Sequence, residues 1–183
     1  EKLEYRGYDS AGIAVINSET NSITCNKAEG KLKNLINNLD DQNIPGTVGI
    51  GHTRWATHGE PTETNAHPHL TKNIAVVHNG IIENFAELKS DLQGKGISFN
   101  SQTDTEVVAR LVENKISQDN CKPLEAVRIV VKQLSGSFAL CFIFRGTENL
   151  LIATRRGSPL ALGFGEEENF VSSDATSLSL FSK

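Results

Sequence analysis

Ser137-Phe138-Ala139-Leu140-Cys141-Phe142-Ile143-Phe144 holds a single hydroxyl among otherwise apolar side chains. A run this short and this uniformly apolar reads as a strand buried on both faces. Downstream, 150–154, 160–165 and 170–172 read as further short strands separated by Gly, Pro, Asn and Glu turns, together an antiparallel meander. Upstream, 11–16 and 22–26 read as a strand pair around the turn Asn17-Ser18-Glu19-Thr20-Asn21, and 47–52 and 74–78 as two more strands.

Helical spacing falls between these groups. Leu32, Leu35, Ile36 and Leu39 predict a helix over 31–39. Asn84 is placed to cap a helix running to Gln93, with Phe85, Leu88 and Leu92 inward and Gly94 as its stop. Thr103-Asp104-Thr105-Glu106 is a capping-box signature. It opens a helix whose stripe is Val107, Val108, Leu111, Val112 and Ile116. Pro123 starts another that ends near Leu134. Strands at both ends with helices clustered between them suggest an α+β domain: two antiparallel sheets stacked face to face, helices outside. There is no internal repeat and no linker-like stretch, so 183 residues read as one domain.

Charge excludes some functions. Lys and Arg number 18 against 22 Asp and Glu, a net charge of −4, so the basic footprint of a nucleic-acid or anionic-membrane binder is missing. No apolar run approaches the ~18 residues needed to span a bilayer, and no signal-peptide pattern opens the sequence. Cytoplasm is the expected compartment. The chain has no methionine, and Glu1-Lys2-Leu3-Glu4-Tyr5 reads as the last turn of a helix already under way, so further sequence is expected upstream. Three cysteines without C-x-x-C spacing predict reduced thiols rather than disulfides or structural zinc. Cys141 reads as a small core residue. Cys25 and Cys121 lack a neighbouring His or a phosphate-type turn to activate them as nucleophiles.

Two polar stretches sit at strand ends: Gly51-His52-Thr53-Arg54-Trp55-Ala56-Thr57-His58-Gly59-Glu60-Pro61 and Val77-His78-Asn79-Gly80-Ile81-Ile82-Glu83-Asn84. Arg54 offers a planar fork suited to a carboxylate, and Thr57 adds a neutral donor. Asn79 and the Gly80 N–H offer two donors to an oxygen that turns negative during acyl transfer. Together they point to amide chemistry on an amino acid, yet neither stretch supplies a convincing nucleophile. Each residue also has a plainer reading. Arg54-Trp55 alone is more simply a surface arginine beside a half-buried aromatic. Asn79-Gly80 is the commonest hairpin signal, although Ile81-Ile82 does not begin an alternating return strand. Asp104 is either a first-turn carboxylate favoured by the helix dipole or a partner for an ammonium group. His52, His58, His67, His69 and His78 invite a metal, but no ligand spacing supports one, and His67-Pro68-His69 is a loop whose rings need not converge.

Six strings, Glu4-Tyr5-Arg6-Gly7-Tyr8-Asp9-Ser10-Ala11-Gly12, the two stretches above, Asn65-Ala66-His67-Pro68-His69, Thr103-Asp104-Thr105-Glu106 and Gly157-Ser158-Pro159, resemble the glutaminase domain of the glutamine–fructose-6-phosphate aminotransferases, class II glutamine amidotransferases also called glucosamine-6-phosphate synthases. The match runs over nearly the whole chain in unbroken order. The resemblance implies an N-terminal-nucleophile hydrolase fold, a four-layer αββα sandwich, here lacking its first strand. It implies that an N-terminal cysteine attacks the glutamine side-chain amide and that the ammonia passes to a sugar-phosphate isomerase domain in a homo-oligomeric parent. By position it implies that Arg54 and Thr57 hold the α-carboxylate of L-glutamine, that Trp55 and His58 line the same wall, that Asp104 pairs with the α-ammonium, and that Asn79 and Gly80 form the oxyanion hole. No cofactor and no metal is implied. The nucleophile and the isomerase domain have no counterpart in the chain, which is expected to be a fragment truncated at both ends and inactive alone. The alternative is a non-catalytic glutamine-binding or assembly module.

Overall fold

A computed structural model describes residues 3–40, 42, 44–55, 59–147, 149–179 and 181, with the Arg6 side chain excepted. In chain order the first half comprises strands β1 (Ser10–Asn17) and β2 (Ser22–Glu29), helix α1 (Leu32–Leu39), and strands β3 (Gly49–Arg54), β4 (His69–Leu70) and β5 (Ile74–Ile82). Helices α2 (Phe85–Gly94), α3 (Asp104–Asp119) and α4 (Pro123–Val131) follow. The chain then forms strands β6 (Gly136–Phe144), β7 (Leu151–Arg156), β8 (Ala161–Phe164) and β9 (Asn169–Ser172).

The uniformly apolar run becomes β6, and alternate side chains enter two cores. Phe138, Leu140, Phe142 and Phe144 join Ile74, Val76 and Ile82 of β5 beneath Leu88, Leu92, Val107, Val108, Val112, Val127 and Val130 of the three central helices. Each of the three buried phenylalanines contributes about 1.5–3 kcal/mol by leaving water. From the opposite face, Cys141 and Ile143 pack with Ala75 against Ala14 and Ile16 of β1 and Ile50 of β3. A third cluster joins Ala11, Ala28 and Leu35, seating α1 on the outer face of β1 and β2. The layers therefore run α1, sheet β2-β1-β3, sheet β4-β5-β6-β7, then α2 to α4. All pairings are antiparallel. This is the expected four-layer αββα sandwich.

Several local expectations are corrected. β5 continues past His78 to Ile82, so Asn79-Gly80 is neither a hairpin turn nor a strand end. Asn79 faces Ala139, Gly80 faces Phe138 and Ile82 faces Gly136 on β6. Gly80 makes this possible: its φ is +125°, and a Cβ there would overlap the Ser137 carbonyl oxygen and lie 2.9 Å from Phe138 Cα. β3 likewise extends to Arg54, because β1 offers partners for it, Gly12 opposite His52 and Ser10 opposite Arg54. The meander stops at β7. Among the described residues β8 and β9 pair only with each other.

The capping signatures are also used differently. Thr103 is the N-cap of α3 but makes no side-chain cap bond, because its hydroxyl is engaged with His69 Nε2 at 2.9 Å and Ser101 Oγ at 3.0 Å. Glu106 turns to the backbone N–H groups of Asn100 and Ser101 instead. Asn84 ties α2 to the end of α4, donating to the Gln133 carbonyl and accepting from Ser135 N–H.

Candidate functional site

A cavity of about 420 Å³ opens between the two sheets, with walls from β3, β5, the start of α3, and β9. Arg54, Trp55, Asn79, Gly80 and Asp104 all line it. Thr57 and His58 lie outside the described residues.

Arg54 is the last residue of β3 and only 4% exposed. Its Nη1 donates to the Glu60 carbonyl at 3.1 Å and Nη2 to the Gly59 carbonyl at 3.3 Å, which ties these two residues to the strand end. Burial pulls the guanidinium below its ordinary value, while the carboxylates of Asp9 and Asp104 act to raise it again. It remains a cation at any working pH. Trp55, 61% exposed, meets Tyr8 edge to face with ring centroids 5.4 Å apart.

Asp104 opens α3 and is 5% exposed. Its Oδ2 accepts from Ile82 N–H at 2.8 Å and lies 3.7 Å from His78 Nδ1, so the carboxylate ties α3 to the strand bearing Asn79. A buried cation and a buried anion facing one cavity suit a zwitterion, whose carboxylate and ammonium find one opposite charge each. Asn79 Oδ1 lies 2.8 Å from His52 Nε2 on β3.

Behind this wall the histidines gather. Thr105 Oγ1 lies 3.0 Å from both His67 Nε2 and His78 Nδ1. The His67 ring sits 4.3 Å from that of His52 and 4.8 Å from that of His69, so the two rings of the His67-Pro68-His69 loop do converge, drawn in by hydroxyls on and before α3. Burial disfavours the charged form of three of the rings: His52 is lowered to about 4, His69 to about 3, and His67 well below its usual range. Among the described residues no group of His, Cys, Asp or Glu is arranged to hold a metal ion.

His52, weighed in the sequence only as a metal ligand, and Thr105 also stand at this wall. The period-two pattern of β3 was the available signal for His52, since it shares a strand face with Arg54. Thr105, read as a capping-box interior residue, gave none.

The thiols are poorly suited to attack. Burial raises Cys25 to about 11, the dominant effect over the nearby Lys27 charge, and raises Cys141 to about 12. Cys121 Sγ contacts the Lys115 carbonyl at 3.8 Å. No helix among the described residues is long and apolar enough to cross a membrane.

Residues 52–179 match a family described as glutamine amidotransferase domain. Over 181 residues, 99% of the chain, the sequence is 54% identical to proteins of Mesorhizobium japonicum and of Brucella suis, both named glutamine–fructose-6-phosphate aminotransferase (isomerizing). The chain spans 29% of the length of these relatives. Among solved structures it resembles a glutamine phosphoribosylpyrophosphate amidotransferase from B. subtilis complexed with ADP and GMP. That likeness has a TM-score of 0.82 at 25% identity and covers 97% of this chain and 38% of the other. A structure described as the allosteric regulatory enzyme of purine biosynthesis matches with a TM-score of 0.83, again at 25% identity and with the same coverage.

Proposed function

The chain belongs to the glutamine amidotransferase domain family, and from that premise we propose that its inter-sheet cavity binds L-glutamine as the glutaminase part of a larger aminotransferase. In such a protein the side-chain amide is hydrolysed to glutamate, and the ammonia is delivered to fructose 6-phosphate on a sugar-phosphate isomerase domain, giving glucosamine 6-phosphate. Residues 1–183 are a fragment of one glutaminase domain in this reading, within a homo-oligomeric cytoplasmic protein that uses neither cofactor nor nucleic acid.

One observation carries the reading: buried Arg54 and buried Asp104 line the same cavity as Asn79 and Gly80. Arg54, with Thr57, takes the α-carboxylate, a stronger acceptor than the two carbonyls it now holds. Trp55 and His58 line that wall. Asp104 takes the α-ammonium. The Asn79 amide NH2 and the Gly80 N–H meet the carbonyl oxygen as attack makes it negative. The attacking thiol is none of Cys25, Cys121 and Cys141. An N-terminal cysteine outside these residues supplies it, with its own amine as base.

The test is ammonia release from L-glutamine by the larger protein. Arg54→Lys keeps the charge but loses the paired bonds, so KM is expected to rise on the order of ten- to a hundredfold. The 183-residue chain assayed alone is expected to release no ammonia. An unchanged KM in Arg54→Lys would make Arg54 only a loop staple. Glutamine binding without turnover in the larger protein would favour a non-catalytic glutamine-binding module.

A further inference from the structure

Asn79 is held from behind. Its Oδ1 lies 2.8 Å from His52 Nε2, across the space between β5 and β3. A carbonyl oxygen only accepts, so Nε2 must carry the proton. The reverse arrangement, amide NH2 toward the ring, would require the proton on Nδ1. That nitrogen is buried and makes no well-formed hydrogen bond among the described residues, although the His78 backbone interacts with the ring. An orphaned buried N–H is rarer and costlier than an unused lone pair, which favours the Nε2–H form. The ring cannot easily turn either. It lies against His67 at 4.3 Å and a 33° tilt, and His67 is anchored to Thr105 on α3.

With Oδ1 engaged, the NH2 of Asn79 faces the cavity that the residue lines, and no described residue accepts from it. The amide is therefore fixed by its far end. Freed from His52, it could rotate and present its oxygen to the cavity, opposing a developing oxyanion instead of stabilising it.

We propose that His52 is a positioning residue for the amide chemistry: its Nε2–H fixes the orientation of the Asn79 side chain so that the NH2, and not the oxygen, meets the reacting carbonyl. This rests on the reading of Asn79 as an oxyanion donor. The neutral state that burial imposes on His52 agrees with a ring offering one N–H. A glutamine side chain reaches the Nε2 position with a donor, whereas asparagine reaches only the Nδ1 position.

His52→Gln, His52→Asn and His52→Leu are made in the whole protein, each with and without Asn79→Ala, and kcat and KM for glutamine hydrolysis are measured per folded molecule. His52→Gln should keep kcat within about threefold of the wild type, while His52→Asn and His52→Leu should lose on the order of 10- to 100-fold with KM little changed. In the Asn79→Ala background those losses should vanish, because nothing remains to be positioned. The Gln and Asn variants decide the matter even if the Leu variant does not fold. Equal losses in both backgrounds, an effect confined to KM, or a Gln variant as impaired as the Asn variant would overturn the proposal while leaving the cavity's assignment standing. An Asn79→Ala enzyme with wild-type kcat would overturn both.

Discussion

Replacing Gly80 with alanine puts a methyl carbon where β5 has no room for one. The residue sits at φ +125°, and the added Cβ would overlap the Ser137 carbonyl oxygen and stand 2.9 Å from Phe138 Cα, both backbone atoms of the paired strand. The backbone conformation costs about 1–3 kcal/mol for any residue with a Cβ. Relieving the overlap means spreading β5 from β6 and costs about another 1–3 kcal/mol. The sum centres near ~4 kcal/mol, which for a domain of this size lowers Tm by roughly 8–16 °C. Gly96→Ala is the control, since its φ is +79° but a Cβ there meets no heavy atom within 4 Å. It should lose only about 1–2 kcal/mol. Urea unfolding of both variants beside the wild type separates the two contributions. Losses that agree to within about 0.5 kcal/mol would refute the claim that Gly80 is required by the approach of β6.

The buried histidines should make stability depend on pH. His52 at about 4 and His69 at about 3 stay neutral in the folded chain, whereas the unfolded chain protonates them near 6.5. Their stabilisation is fully present above pH 6.5, declines as pH falls below it, and levels off only as each folded value is reached. Each ring adds a slope approaching ~1.4 kcal/mol per pH unit, so urea midpoints should drop between about pH 7 and about pH 5, and a flat profile would contradict the assignment. Cys25, raised to about 11 by burial, should react with iodoacetamide on the order of 100-fold more slowly than free cysteine at about pH 8 in a Cys121→Ser variant. A rate equal to that of free cysteine would show Cys25 to be exposed and ionised.

The layering was legible because Phe138, Leu140, Phe142 and Phe144 alternate with Ala139, Cys141 and Ile143, leaving no polar face, so β6 had to be covered on both sides. The cavity wall was legible too, since Arg54, Trp55, Asn79 and Gly80 stand in two short motifs. What escaped was set by long-range pairing. The length of β5 depends on Phe138, more than fifty residues away and opposite Gly80, and on the Ser137 carbonyl, whose approach only a glycine at positive φ accepts. The capping box failed because His69, a distant residue, claims the Thr103 hydroxyl. The separation of β8 and β9 from β7 follows from pairing and not from composition, since all three strands carry similar short apolar runs.

The most direct test of the amide chemistry assigned to the cavity is Asn79→Ala in the larger protein, with kcat, KM and Tm measured on the same preparation. An interaction formed only as the carbonyl oxygen becomes charged should lower kcat by ~10²–10³ and leave KM for glutamine nearly unchanged. A variant with reduced Tm and wild-type kcat per folded molecule would contradict that role and leave Asn79 a structural partner of His52 alone.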